Sequence, residues 1–372
     1  MAGIYIHIPF CSRKCIYCDF YSVGSRLADW SAYIDALLSE AKNRIKPARY
    51  NTIYIGGGTP SLIPAEEFSR LLSGILKLNT GKPEEITIEV NPDDVTPALA
   101  LRWKQSGVTR VSMGVQTLID SELNTIGRRH TAAQARNAFN ILRPLFNNIS
   151  LDVIFGLPGQ TLDTWEETIT EIIKMRPEHI SAYSLMYEEQ TAITRMLNQG
   201  KISETPECDS EKMFELLCTS ISGAGYEHYE ISNYALPGHR SLHNSSYWSG
   251  EPYIGLGPGA HSYDGRMKRI ANKPDFRQYI AYWKDQTGEM PTEVEELTGN
   301  ELREEMIMTR LRTREGLNLQ EFGSQFGTEA VVALRRKVAP FLTLGHAELV
   351  NDRLALTQSG ILISDTIISG LF

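Results

Sequence analysis

The sequence has little cysteine, no excess of positive charge and no long apolar run, and each shortage excludes something. Cysteine occurs only five times in 372 residues, an odd count with three crowded into residues 11–18. That fits metal binding in a reducing compartment better than a disulfide framework. Lys and Arg total 37 against 45 Asp and Glu, a net charge of −8. Such a balance argues against nucleic acid as the main partner. The basic runs Arg128-Arg129-His130 and Arg335-Arg336-Lys337 are then expected to be solvated helix ends or faces. No stretch approaches the roughly 18 apolar residues of a membrane span. The apolar start, Ile4 to Phe10, is too short for a secretory signal and runs directly into the cysteines. Internal repeats and low-complexity segments are also lacking. A soluble, cytoplasmic chain is the expectation, with Cys208 and Cys218 as ordinary semi-buried thiols on or beside a helix.

What is present is alternation. Strand-like segments at Ile4–Pro9, Asn51–Ile55, Glu85–Val90, Arg110–Gln116, Ser150–Phe155 and His179–Met186 are interleaved with helical periodicity. Trp30, Tyr33, Ile34, Leu37, Leu38 and Ala41 mark one helix, and Phe68, Leu71, Leu72, Ile75 and Leu76 the next. Thr96-Pro97 supplies an N-cap and a first-turn proline for a helix that Gly107 ends, and Thr131 caps another. A further helix begins near Asp163. Strands alternating with helices predict an α/β fold with a parallel sheet, curled by right-handed crossovers into a whole or partial barrel. Chemistry in such barrels sits at the C-terminal strand ends.

The strands carry a consistent split of period two. One face holds Ile4, Ile6 and Ile8; Ile53 and Ile55; Ile86, Ile88 and Val90; Val111, Met113 and Val115; Leu151, Val153 and Phe155. The other holds Tyr5 and His7; Tyr54 and Gly56; Thr87 and Glu89; Ser112, Gly114 and Gln116; Ser150 and Asp152. The apolar face belongs under the helices, so the polar face lines the lumen. A closed barrel fills its lumen with branched apolar side chains, so a polar lumen predicts an open, partial barrel with the site inside. From Tyr187 to about Tyr263 the alternation is lost, and Pro274–Asp285 reads as a helix. Asn300–Phe372 reads as a small module of three helices, a hairpin through Leu349-Val350, Asn351-Asp352 and Leu354–Leu356, and a last amphipathic helix with Ile361, Ile363, Ile367 and Leu371. Helices followed by a hairpin suggest a winged-helix-like unit with a covering or docking role. The expected divisions are residues 1–190 as the barrel core, 191–295 as an extension completing the site, and 296–372 as the C-terminal domain.

Cys11, Cys15 and Cys18 follow the first strand at a C-x-x-x-C-x-x-C spacing. Three thiolates in one short loop can hold three irons of a [4Fe–4S] cubane and leave the fourth iron open for a chelating ligand. Zinc held by the same cysteines and His7 or another residue is the alternative that spacing alone leaves open. The whole pattern resembles the radical S-adenosylmethionine (SAM) superfamily. The cysteine spacing stands after the first strand, and Gly56-Gly57-Gly58-Thr59-Pro60 stands after the second, where that superfamily has a glycine-rich turn against the methionine amino group. The segments YIHIPFC, GGGTP, EVNP, GVQ, IGRRH and DVIFGLPGQT resemble, in order, the coproporphyrinogen dehydrogenase group. That resemblance implies SAM binding at Tyr5, Tyr17, Gly57, Gly58, Thr59, Glu89, Gln116, Arg128 and Asp152. Arg128 would clamp a carboxylate, with Arg129 adjacent, and Asp152 would accept from a ribose or amine. Electron transfer from the cluster to the bound sulfonium would then yield a carbon radical, which is cofactor chemistry.

Two departures separate the chain from the dehydrogenases. Phe20 occupies the position of their fourth motif cysteine, and only ten residues precede Cys11 where they carry a long extension. Both departures resemble the HemW-like haem chaperones, as does His243-Asn244-Ser-Ser-Tyr247-Trp248, which fits their H-N-x-x-Y-W pattern. The resemblance implies haem as cargo, a haemoprotein acceptor such as a membrane-associated respiratory enzyme, and action at the cytoplasmic face of the membrane. An imidazole can ligate haem iron and aromatics can stack on a porphyrin. The bland alternative for the motif is a local turn, with His243 capping backbone and Tyr247 and Trp248 in the core. His261, in Gly257-Pro-Gly-Ala-His-Ser262, is a second haem candidate, or a neighbour of the SAM pocket. The enzyme alternative is oxygen-independent oxidative decarboxylation of coproporphyrinogen III.

Overall fold

The computed structural model describes residues 2–46 and 48–372. The apolar face anticipated from the sequence is the hydrophobic ceiling of one curved sheet. Strands β1 (Ala2–Ile8), β2 (Tyr50–Gly57), β3 (Glu85–Val90), β4 (Arg110–Gln116), β5 (Ile149–Phe155) and β6 (His179–Ser184) lie side by side in chain order, each parallel to the next. The register matches apolar to apolar across the sheet. Ile4 faces Ile53, Ile53 faces Ile86, Ile88 faces Val111, Met113 faces Leu151 and Leu151 faces Ile180. These side chains are buried beneath α1 (Trp30–Arg44), α2 (Ala65–Leu78), α3 (Pro97–Ser106), α4 (Ala132–Leu142) and α5 (Leu162–Met175). Each fully buried Ile contributes about 1.5–3 kcal/mol over leaving it exposed, so a one-residue slip in any strand is strongly disfavoured.

The helix boundaries follow local chemistry. Thr96 accepts from the amide of Leu99 ahead of Pro97, and Gly107 closes α3 at φ 106°. Thr131 with Gln134, and Thr161 with Thr164, form reciprocal capping pairs at the starts of α4 and α5.

The sheet is larger than the alternation predicts. Among the described residues it has twelve strands, because residues 187–263, expected to be irregular, contribute four short ones and residues 264–296 two more. Beyond α6 (Glu207–Gly223), β7 (Glu227–Glu230) and β8 (Asn233–Ala235) extend the β6 edge. After α7 (Leu242–Trp248), β9 (Tyr253–Leu256) pairs parallel with β1, followed by antiparallel β10 (His261–Tyr263), β11 (Lys268–Asn272) and β12 (Thr292–Glu296). These strands are too short for period two to register. β6 stops at Ser184, short of the expected Met186. Among the described residues the two sheet edges, β12 and β7, do not pair, so the barrel is open.

After α8 (Phe276–Asp285), the C-terminal unit has its own apolar cluster, including Ile307, Leu317, Phe322, Leu334 and Ile367. It comprises α9 (Gly299–Leu311), α10 (Leu319–Phe326) and α11 (Thr328–Thr343), then the hairpin β14 (Ala347–Val350) and β15 (Arg353–Leu356). Asn351 and Asp352 turn that hairpin with φ 51° and 59°, the mirror-image turn that suits strand twist. An additional short strand, β13 (Leu317–Asn318), completes the wing against β15. The last helix is broken into Gln358–Leu362 and α12 (Ser364–Leu371). Ile231 N donates to Arg312 O at 2.9 Å and Arg314 N to Tyr229 O at 3.0 Å, strapping this unit to the β7 edge. Among the described residues no helix is long and apolar enough to cross a membrane.

Candidate functional site

The loop after β1 closes on itself. Phe10–Cys11 pairs in parallel with Val23–Gly24, and Cys18 N donates to Cys15 O at 3.3 Å. Cys11 is buried, and Cys15 and Cys18 are half-buried. The glycine turn after β2 presses against this loop. Gly58 N donates to Ile8 O at 2.8 Å, and a Cβ on Gly58 would lie 2.9 Å from the carbonyls of Ile8 and Phe10 and 3.0 Å from Cys11 Sγ. Gly57 has φ 112°, which a side chain rarely adopts. Thr59 Oγ1 donates to Cys11 Sγ at 3.5 Å.

A cavity of about 450 Å³ opens between the cysteine loop and the C-terminal strand ends. Tyr54, Glu89, Ser112, Asp152 and Ser181, from five successive strands, all line it, which requires the sheet to curve around it. Of the residues that the sequence singles out for SAM, Tyr17, Gly57, Gly58, Thr59, Glu89, Gln116, Arg128 and Asp152 line this cavity with the three cysteines. Tyr5 does not; its hydroxyl meets His7 Nδ1 at 3.0 Å on the wall of a second cavity.

Arg128 and Arg129 are told apart. Arg128 donates to Cys15 Sγ at 3.4 Å, to Asn91 Oδ1 at 2.8 Å and to Gly114 O at 2.6 Å. Its Nε is buried without a partner. Arg129 turns away to Asp93 and Asp94, both at 3.0 Å. His130 is also buried, so the run 128–130 is not the solvated surface that its composition suggests. The reason is the adjacent buried β4, whose Val115 carbonyl His130 meets at 3.1 Å. A bulge between Gly114 and Gln116 turns Gln116 to φ 67° at the cavity rim.

Two buried carboxyls face the lumen, and the charge of Arg110 opposes part of the effect of burial on each. Glu89 accepts from Tyr54 Oη at 2.8 Å and from Gly57 N at 3.0 Å, yet burial raises its carboxyl to about 7. Asp152 accepts from Ser112 and Ser150, both at 3.1 Å, and burial raises it as well. Two carboxyls held towards neutrality in one pocket gain from an arriving cation that ionises them.

The donor set fits a cubane rather than a single ion. Among the described residues no three His, Cys, Asp or Glu side chains gather closely enough to hold one metal ion. A cubane instead caps each of three irons with a separate thiolate. His7, the fourth ligand of the zinc alternative, has both ring nitrogens engaged, by Tyr5 and by Tyr21 O at 2.9 Å. The described lining holds no histidine and no further cysteine, so a fourth iron would be left open.

The segment from His243 to Trp248 divides between compartments. Asn244 lines the cysteine cavity, and Tyr247 and Trp248 line the second, of about 920 Å³. His243 lines neither. It is 1% exposed, with Nδ1 at 2.8 Å from Thr52 Oγ1 and Nε2 at 2.8 Å from Tyr247 Oη, stacked on Tyr54. The structure corrects the local-turn alternative: His243 bonds side chains, and Ser241 is the cap of α7. His261 is exposed on the wall of the second cavity, and Phe20, 62% exposed, borders both. Cys218 is buried in α6, whereas Cys208 is exposed at its start.

The sequence reading missed Tyr54 and Asn91, both of which position site residues. Tyr54 was visible as a lumen-face residue and Asn91 as the end of a strand. It also missed Arg269 of β11 and Glu305 and Arg310 of α9, which reach the second cavity from two distant elements and left no local signal.

Residues 5–172 match the Radical SAM superfamily and residues 297–363 the HemN C-terminal domain. The chain is 36% identical to the heme chaperone HemW of Bacillus subtilis over 335 residues, covering 88% of this chain and 87% of that protein. It is 30% identical to heme chaperone HemW of Mycobacterium tuberculosis (strain ATCC 25618 / H37Rv) over 380 residues, covering 99% and 94%. The solved structure of coproporphyrinogen III oxidase (HemN) from Escherichia coli aligns with TM-score 0.84 at 21% identity, covering 100% of this chain and 89% of that one, a likeness of fold. The chain belongs to the HemW family of the radical SAM superfamily.

Proposed function

We propose that this protein is a radical SAM haem chaperone that binds haem and transfers it to haem-requiring acceptor proteins. Cys11, Cys15 and Cys18 hold the [4Fe–4S] cluster, and SAM lies beside it in the smaller cavity. When bound, the cluster supplies an open iron for the methionine amino and carboxylate groups and an electron for sulfonium cleavage. Arg128 meets a carboxylate; Glu89 and Asp152 offset the ligand's positive charge and accept from amine or ribose; Gln116 and Tyr17 close its sides. Residues 1–190 carry this chemistry, 191–295 complete the walls, and 296–372 cover the second cavity. The acceptor is a haemoprotein at the cytoplasmic face of the membrane. The convergence of the cysteine loop, the glycine turn, Glu89 and Arg128 on one cavity supports the cofactor assignment, and the HemW relatives support the cargo.

Phe20 favours this function over oxygen-independent coproporphyrinogen dehydrogenation, because it puts an exposed ring where the dehydrogenases carry a fourth motif cysteine. Anaerobic reconstitution tests both. The expected product is brown, carries about four irons per chain, as one cubane requires, binds haem and leaves coproporphyrinogen unchanged. Turnover of coproporphyrinogen would overturn the chaperone function, and colourless protein with one zinc would overturn the cluster.

A further inference from the structure

The second cavity lies apart from the one that the three cysteines line, with Phe20 bordering both. At about 920 Å³ it has the size of a large-ligand site. Its walls come from β1 through Tyr5 and His7, the cysteine loop through Phe20, the α7–β11 segment through Trp248, His261 and Arg269, α9 through Met306 and α10 through Glu321. Two N–H groups of this lining, Trp248 Nε1 and Arg269 Nε, are buried without an acceptor among the described residues. The rest of Arg269 is committed, with Nη2 on Glu305 Oε1 at 2.6 Å and the guanidinium over the Tyr263 ring. A buried donor left unpaired costs about 1–3 kcal/mol, so two in one wall point to a ligand that brings acceptor oxygens.

His261 supplies the second element. Its imidazole is exposed and makes no hydrogen bond to another described residue. The nearby His7 and His243 have both ring nitrogens occupied. A free imidazole on an aromatic-walled cavity is an available axial ligand for porphyrin iron. The charged lining is mixed: Arg266, Arg269 and Arg310 face Glu305 and Glu321. Arg310 is held by the carbonyls of Trp248 and Ser249, at 3.3 and 3.1 Å, and by Glu321 at 3.6 Å, so that among the described lining residues Arg266 is the cation without an ion-pair partner.

We propose, resting on the haem-chaperone function above, that this cavity seats the haem, with His261 as axial ligand and the N–H groups of Trp248 and Arg269 receiving its propionates. Phe20 then stands between the haem and the cluster cavity. His243 supports the wall through Tyr247 and does not touch iron.

Haem titration of the anaerobically reconstituted full chain, followed by Soret absorbance, tests the assignment. Three proteins are compared: wild type, His261→Ala and His243→Ala, with iron content as the check that each chain is intact. Wild type is also titrated with haem dimethyl ester, whose propionates are capped. The expected result is a loss of about tenfold or more in affinity and a shifted Soret band for His261→Ala, together with a loss of about tenfold for the ester. An unchanged His261→Ala titration, with binding lost in His243→Ala, would overturn the site and leave the chaperone function standing. Equal binding of haem and its ester would overturn the propionate contacts, even if His261→Ala failed to hold its cluster. No haem binding by wild type would overturn both the site and the function it rests on.

Discussion

Arg128 donates to Cys15 Sγ across 3.4 Å, joining the segment after β4 to the loop after β1. The same guanidinium binds Asn91 and Gly114 O, so it enters the cavity already oriented and its charge lies against the thiol that would become a thiolate. Its neighbour Arg129 spends its charge on Asp93 and Asp94 outside.

Arg128→Met should therefore lower SAM affinity by about 10–100-fold, the worth of a buried charge-assisted contact. Arg129→Met should change it by less than about threefold, since partly exposed ion pairs contribute little. Equilibrium dialysis with reconstituted protein measures both. Equal effects in the two variants would remove Arg128 from the site.

Gly58→Ala should cost iron. The added Cβ would meet two carbonyl oxygens at 2.9 Å and Cys11 Sγ at 3.0 Å, and backbone cannot swing aside as a flexible side chain does. Overpacking of this kind costs about 1–3 kcal/mol locally. Iron and sulfide content after reconstitution should fall well below that of wild type while far-UV circular dichroism stays native. Full iron loading would show that the turn tolerates a side chain.

SAM affinity should depend on pH through Glu89. Burial holds this carboxyl up to about 7 in the free protein, and a cationic ligand binds its ionised form. Below about pH 7 binding must release a proton, so affinity should fall towards tenfold per pH unit, and above it the dependence should flatten. In Glu89→Gln the slope should shrink, with lower affinity throughout. A slope that persists in that variant assigns the proton to Asp152, the other carboxyl raised by burial.

His243 should contribute stability that acid removes. Burial first, and the charge of Arg110 second, lower its imidazole to about 3, against the ordinary 6.5. A histidine whose pKa is lower in the folded state stabilises fully above about 6.5, and this contribution is lost as pH falls towards about 3, at up to about 1.4 kcal/mol per unit. His243→Phe leaves Thr52 and Tyr247 unpaired and should cost about 2–4 kcal/mol at pH 7.5. Its stability should then fall less steeply with acid than that of wild type. Denaturant titrations of both proteins from pH 7.5 to 5 supply the comparison; parallel curves would mean that His243 is not held neutral by the fold.

Much of the lumen was legible because period two is a local property. Glu89, Ser112 and Asp152 alternate with buried Ile and Val along their own strands, and a parallel sheet aligns those faces without further instruction. The short strands β7 to β12 were not legible, because three to five residues carry too little periodicity and the pairings that join them to the main sheet, β9 with β1 and β8 with β6, lie far along the chain.

The sequence by itself determined the cysteine loop, the glycine turn, the αβ alternation and the polar lumen, since each depends on residues close in the chain or on one strand's own period. Only the tertiary structure decided that Arg128 enters the site while Arg129 leaves it, and that His243 is buried between Thr52 and Tyr247 while His261 stands free. Those distinctions depend on which side of a buried strand or helix a residue meets and which distant group is already there. The larger cavity exists for the same reason: its walls come together only when α9 and α10 of the C-terminal unit lie beside the β9–β11 segment.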